Sequence, residues 1–230
     1  MSFSLIENNV LLFLKGHLGN NDDDAFNRCS DFAYRDMCRT IVFNPDYKEL
    51  SSNSSEQNKI ISEKKHILRN KVTTLIKHYV IDHFLHSPEN FDDIHNSLCL
   101  EIIEIYKAAS NFNYGQAQKW VNMTLKNLYV YSESNRYCRP DVEILSLEPL
   151  IPKMHVPIDN IVLDILSGKK KCYVDSQKYN LKRPKINGKE VSWSKWDYKT
   201  YIDFQNEIRK TVGETPIIWE LQHWSTVEEK

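Results

Sequence analysis

Two short segments place a lysine and an aspartate in contexts suited to chemistry. The first is Gly115-Gln116-Ala117-Gln118-Lys119-Trp120-Val121-Asn122-Met123-Thr124-Leu125, a turn glycine running into a helix with a lysine in its first turns. The second is Val156-Pro157-Ile158-Asp159-Asn160-Ile161-Val162-Leu163-Asp164-Ile165-Leu166, with an aspartate placed to cap a short apolar helix. A lysine amine is a nucleophile, and a carboxylate beside it supports developing positive charge. Brought together, the two are the parts needed to attack a sugar carbon. Each also has a plainer reading, as a surface lysine and as a helix cap.

The elements that must position this pair read as mostly α-helical. Leu5, Val10, Leu11, Leu12 and Leu14 suggest a first helix ending near Gly16 to Gly19. An acidic start at Asn20 to Asp24 opens a second helix through about Val42. Phe43 to Ser55 holds Pro45 and a Ser/Asn cluster and reads as a loop. From Glu56 to about Leu85 the pattern is amphipathic, with apolar residues from Ile60 to Leu85 at helical spacing, and Ser87-Pro88 ends that helix. Phe91 to Ala109 follows, with Leu98, Leu100, Ile102, Ile103 and Ile105 expected inside. A turn from Ser110 to Gly115 leads into a helix over Gln116 to Val130. Tyr131 to Met154 has no clear period and reads as irregular. Short helices are expected over Asp159 to Leu166, Asp197 to Thr211 and Pro216 to Trp224.

Composition bounds the class. A chain of 230 residues, 41% hydrophobic and 27% charged, is long enough to bury a sizeable core. One compact helical domain over 1–230 is expected, with the helix pair near 101–130 and a C-terminal region at 169–230 as the parts of two lobes. The net charge of −1 argues neither for nor against nucleic acid, so only a local basic patch would make that case. Six glycines disfavour a glycine-rich phosphate loop. Cys29, Cys38, Cys99, Cys138 and Cys172 form no C-x-x-C pair, so neither a zinc ribbon nor a cysteine-held cluster is expected. His78, His83 and His86 lack a completing carboxylate or cysteine motif. No metal and no cofactor are expected. Met1 to Leu18 does not read as a signal peptide, and no apolar run is long enough to span a membrane. A cytoplasmic protein with reduced thiols is the simplest expectation.

The helix, turn and helix from Glu101 to Val130 form a helix-hairpin-helix pattern, whose turn amides and helix start suit a backbone phosphate. Together with V-P-I-D-N-I-V-L-D-I-L from Val156 to Leu166, it resembles the helix-hairpin-helix DNA glycosylases. In that family the hairpin reads approximately G-V-G-x-K-T-A-N-V-V-L, followed by V-P-V-D-T-H-V-x-R-V-x-x-R-L. The resemblance is closest to the lysine-bearing, 8-oxoguanine glycosylase-like members. It implies a two-lobed helical glycosylase fold, with Lys119 as the catalytic lysine and Asp159 as the catalytic aspartate. Gly115 and Gln116 would lie at a DNA phosphate. Ala117 stands where the family has its second glycine, and 40 positions separate Lys119 from Asp159, a longer interval than the family's. The implied chemistry flips a nucleotide out of double-stranded DNA, and Lys119 attacks C1′ as a neutral amine. Asp159 supports the oxocarbenium charge, the base leaves, and β-elimination nicks the strand.

Lys169, Lys170, Lys171, Lys178, Lys182, Arg183, Lys185 and Lys189 face a single acid, Asp175, in the segment from Lys169 to Lys189. Phosphate contact is the expected use, with Lys169, Lys170, Lys171, Lys182 and Arg183 foremost and Tyr173 and Tyr179 placed to stack on bases. Trp193, Trp196, Trp219 and Trp224 read mainly as packing. Asn122 reads as a structural hydrogen-bonder, and His155, four residues before Asp159, as a loop histidine.

Two functions follow. One is a DNA glycosylase with β-lyase activity, excising or recognising a damaged or modified base. The rival is a non-catalytic helical protein that holds nucleic acid or a nucleotide, or joins protein partners in a bacterial defence or counter-defence assembly against phage. The base itself is not legible, because base choice lives in pocket shape.

Overall fold

The computed structural model describes residues 22–49, 55–138, 145–170, 179–186 and 188–224. The first helix and the Lys171 and Tyr173 assignments fall outside these residues. The fold is mostly α. Among the described residues the helices are α1 (Asp22–Met37), α2 (Ser55–Tyr79), α3 (Phe91–Tyr106), α4 (Tyr114–Cys138), α5 (Asn160–Leu166), α6 (Tyr198–Val212) and α7 (Pro216–Trp224). One small antiparallel hairpin joins β1 (Lys185–Ile186) to β2 (Lys189–Glu190), with Gly188 turning at φ +76°. No helix among the described residues is long and apolar enough to cross a membrane.

Helix α4 is the axis of the fold. From Tyr114 to Asn122 every residue is buried. Helix α1 packs along it, and α3, α6 and the 3-10 turn Trp193–Lys195 also pack on it. A helix surrounded in this way has no solvent face for its polar residues, so each must find a partner inside. Trp120 illustrates the solution. Its ring is buried, and its Nε1 donates to the carbonyl of Ser30 at 3.1 Å and to Ser30 Oγ at 3.0 Å. Ser30 Oγ in turn bonds Thr73 Oγ1 at 2.7 Å, tying α1, α2 and α4 at one point.

Several boundaries differ from the sequence reading, for physical reasons. Helix α1 stops at Met37, five residues short of Val42. A 3-10 turn over Cys38–Thr40 follows, Thr40 Oγ1 closes back on the Met37 carbonyl at 2.8 Å, and Ile41 is extended. The β-branched run Thr40-Ile41-Val42 favours that exit. Helix α4 runs on to Cys138 instead of fraying at Val130. Nothing between Gly115 and Pro140 breaks it, and Ser132 Oγ finds the Leu145 carbonyl at 2.8 Å. On α3 the buried stripe is Phe91, His95, Leu98, Cys99, Ile102 and Tyr106, a regular helical spacing. Leu100 falls on the far face and is 53% exposed, contrary to expectation.

Candidate active site

Lys119 and Asp159 meet. Lys119 Nζ donates to Asp159 Oδ2 at 2.8 Å. Two devices bring the aspartate there. Before it, the chain from Met154 to Ile158 is buried, and the Gln205 side chain of α6 clamps Val156 by both amide groups. Gln205 Nε2 donates to the Val156 carbonyl at 2.7 Å, and Oε1 accepts from the Val156 N–H at 3.1 Å. After it, Asp159 is extended and caps α5: its Oδ1 accepts from the Val162 N–H at 2.8 Å. One oxygen therefore fixes the helix start and the other is left for the lysine.

A second carboxylate, unmarked in the sequence, completes the site. Asp36, near the end of α1, places Oδ2 3.1 Å from Lys119 Nζ. The amine thus lies between two acids. The lysine side chain is only 3% exposed, against 17% for Asp159 and 38% for Asp36, so the carboxylates form the mouth and the amine the floor. The Trp193 ring lies 6.0 Å from Nζ, within range of a cation–π attraction. A cleft of about 210 Å³ lies on the Asn160 and Trp193 side, lined also by Leu163, Arg183, Glu190, Val191, Ser192 and Trp196, and Lys119, Asp159 and Asp36 are not part of its lining.

A further ion pair stands two turns along α4. Lys126 Nζ donates to Glu220 Oε1 of α7 at 2.9 Å, with both side chains buried. Burial pushes the Glu220 carboxyl above its ordinary range, and nearby Asp159 adds to this, while Lys126 and Lys119 pull the other way. Its Oε2 has no hydrogen-bond partner among the described residues.

Beneath the site lies a buried polar chain. His155, expected to be an ordinary loop histidine, is fully enclosed. Its Nε2 bonds Asp92 Oδ1 at 2.8 Å and its Nδ1 bonds the Tyr201 hydroxyl at 2.6 Å. Asp92 is also gripped by both Arg209 terminal nitrogens, at 2.8 and 2.9 Å. Asn122 Nδ2 donates to the Tyr201 hydroxyl and to Gln118 Oε1, and Asn122 Oδ1 bonds His95 Nε2 at 2.9 Å. Gln118 Nε2 donates to the Gly115 carbonyl at 2.8 Å. Every donor has an acceptor if both imidazoles are neutral with the proton on Nε2. Burial lowers the affinity of both rings for a second proton, in His155 against the pull of Asp92. Burial disfavours the Asp92 anion, but hydrogen bonds from His155 and Arg209 outweigh it and hold the carboxyl well below its usual range. His155 donates its Nε2–H to the carboxylate, and the permanently charged Arg209 adds two charge-assisted hydrogen bonds. Asn122 is thus a structural hydrogen-bonder, as expected.

The residues expected at DNA divide. Gly115 and Gln116 are turned inward. The Gly115 N–H donates to the Trp196 carbonyl at 3.1 Å, and a Cβ there would lie 1.9 Å from the Trp193 carbonyl oxygen. Gln116 is buried, with Nε2 on the Thr40 carbonyl at 2.7 Å. The glycine serves a close backbone approach within the protein, so these groups do not present a phosphate site. Lys169 and Lys182 are exposed and Lys170 half-buried, directly beyond α5. Arg183 is held by Asp164 through a 2.5 Å hydrogen bond from Nη2. Tyr179 is buried against Trp219, whose Nε1 donates to its hydroxyl at 2.8 Å, so it is no exposed stacking platform. Trp193, Trp196 and Trp219 are packed inside, while Trp224 is 43% exposed.

Fold and site together define a helical protein whose central helix carries a buried lysine, held by a helix-capping aspartate and a second carboxylate. No protein-family model matches the chain, and no curated protein or solved structure matches it.

Proposed function

We propose that this chain is a lysine-dependent DNA glycosylase-like enzyme acting on a damaged or modified base in double-stranded DNA, with β-lyase activity. The observation that carries the reading is the 2.8 Å contact between Lys119 Nζ and the free oxygen of the Asp159 cap. A helix cap whose second oxygen is spent on a buried amine is more than a cap needs. The geometry suits attack at C1′ by the amine and support of the oxocarbenium by a carboxylate already fixed in place. Exposed Lys169 and Lys182, one seven-residue helix away from Asp159, supply charge for backbone phosphates.

The rival reading, a non-catalytic binding protein, has its own observation. The start of α4 is engaged by Trp196, so the hairpin lacks the outward N–H groups of a phosphate site. Borohydride trapping separates the two. A Schiff-base lysine becomes covalently joined to DNA, whereas a binding protein does not.

A further inference from the structure

We propose that Asp36 is the proton acceptor for Lys119, a role that rests on the glycosylase reading above. The amine attacks through its nitrogen lone pair, so a proton that nitrogen shares with its two carboxylate neighbours blocks the attack. That proton must leave first. Asp159 Oδ2 is the nearer acceptor at 2.8 Å, but that carboxylate must stay ionised to support a sugar cation and to keep its Oδ1 on the Val162 N–H. Asp36 is free of both duties. Its Oδ2 lies 3.1 Å from Nζ, and its side chain is 38% exposed, so the proton it takes can exchange with solvent.

The step balances. The N–H bond breaks and its proton passes to Asp36 Oδ2, leaving a neutral amine and a neutral acid. The nitrogen lone pair forms the bond to C1′, and the glycosidic pair leaves with the base. The departing base takes up one proton, which Asp36 returns, and the carboxylate is regenerated. At an abasic site the same amine adds to the C1′ aldehyde, and the oxygen leaves as water when the imine forms. The transfer also loosens the site. Once Asp36 is neutral it no longer holds an ammonium ion, and its side chain can yield the mouth of the site to the sugar.

The charged groups facing Nζ are Asp36 from α1, Asp159 at the head of α5 and, at longer range, Glu220 of α7, whose ionisation senses both Lys119 and Asp159. Lys126, on α4 itself, is occupied by Glu220. Asp36 is itself 3.8 Å from Arg39, an exposed and weak pairing.

The test uses the full chain and a duplex containing one abasic site, which needs no knowledge of the preferred base. The single-turnover rate of borohydride-trapped adduct is measured from pH 6 to 9 for wild type, Asp36→Asn and Asp36→Glu. Asp36→Asn should trap roughly a hundredfold more slowly at neutral pH, as expected for loss of a positioned base. Its rate should climb with pH where wild type is flat, because hydroxide replaces the carboxylate. Asp36→Glu should recover most of the rate, and duplex affinity should hold in both variants. Wild-type rates and profile in Asp36→Asn would overturn the assignment. So would an equal slowing of both variants with an unchanged pH profile, which marks a structural role. A wild-type protein that traps no DNA overturns the glycosylase reading, and the role of Asp36 falls with it.

Discussion

Asp159 divides its carboxylate between two tasks: Oδ1 accepts from the Val162 N–H and Oδ2 from Lys119 Nζ, each at 2.8 Å. The lysine is thereby referenced to the axis of α5, and any shift of that helix moves the amine's partner with it. Asp159→Asn keeps an acceptor for the cap but loses the anion. It should cost about 1 kcal/mol or less through the cap, plus the loss of one of two ion-pair partners. Trapping should fall far more than stability does. Denaturant unfolding alongside the trapping assay separates the two effects, and a proportionate loss of both would contradict the account.

Gly115 makes an opposite-sign prediction. Within a helix, alanine normally stabilises by up to about 1 kcal/mol relative to glycine. Here the added Cβ would lie 1.9 Å from the Trp193 carbonyl oxygen, and backbone cannot step aside cheaply. Gly115→Ala should therefore destabilise by about 1–3 kcal/mol or more. A raised melting temperature would show that the Trp193–Lys195 turn does not sit against α4 as described.

Lys126 and Glu220 test the buried pair. Glu220→Ala strands a buried ammonium and should cost about 3–5 kcal/mol. The double change Lys126→Met with Glu220→Leu should cost far less, since it removes both charges. A double-mutant cycle by urea unfolding measures the coupling. Additive costs would mean the two groups are not paired in solution.

Stability should fall with acid, beginning near neutrality. His95 and His155 are buried with lowered pKa values, so below about pH 6.5 the unfolded chain takes up protons that the native chain refuses. Each such proton lowers stability by about 1.4 kcal/mol per pH unit. Glu220, raised by burial, has the opposite sign: above the ordinary carboxylate range the native chain retains a proton the unfolded chain has lost. Between pH 6.5 and 5.5 the two imidazoles contribute a slope of about one to two protons, from which Glu220 subtracts up to about one. Asp92, held low, adds to the loss only below the ordinary aspartate range. Glu220→Gln removes the opposing contribution, and a flat profile down to pH 5 in that variant would show the imidazoles to be exposed.

Much of this was legible locally. Asp159 reads as a cap because a proline two residues earlier and an apolar run behind it are both close in sequence. The starts of α5, α6 and α7 follow from Asp159, Asp197 and Pro216 in the same way. What was not legible depends on distant partners. Asp36 looks like any acid near a helix end until α1 lies against α4. Asp92, His95, Tyr201 and Arg209 form a network only when α3 and α6 enclose the segment before Asp159. Gly115 shows the converse limit. A glycine freeing an exposed turn and one admitting a neighbouring backbone leave the same mark in sequence.

The central claim is that Lys119 is a nucleophile, and borohydride trapping on duplex DNA tests it most directly. A panel of duplexes is used, each with one modified base, 8-oxoguanine among them, beside one with an abasic site. The account predicts a covalent protein–DNA adduct with wild type on the abasic duplex and on at least one modified base, and none with Lys119→Gln, whose duplex affinity stays near wild type. No adduct with any duplex, or an undiminished adduct with Lys119→Gln, would contradict it.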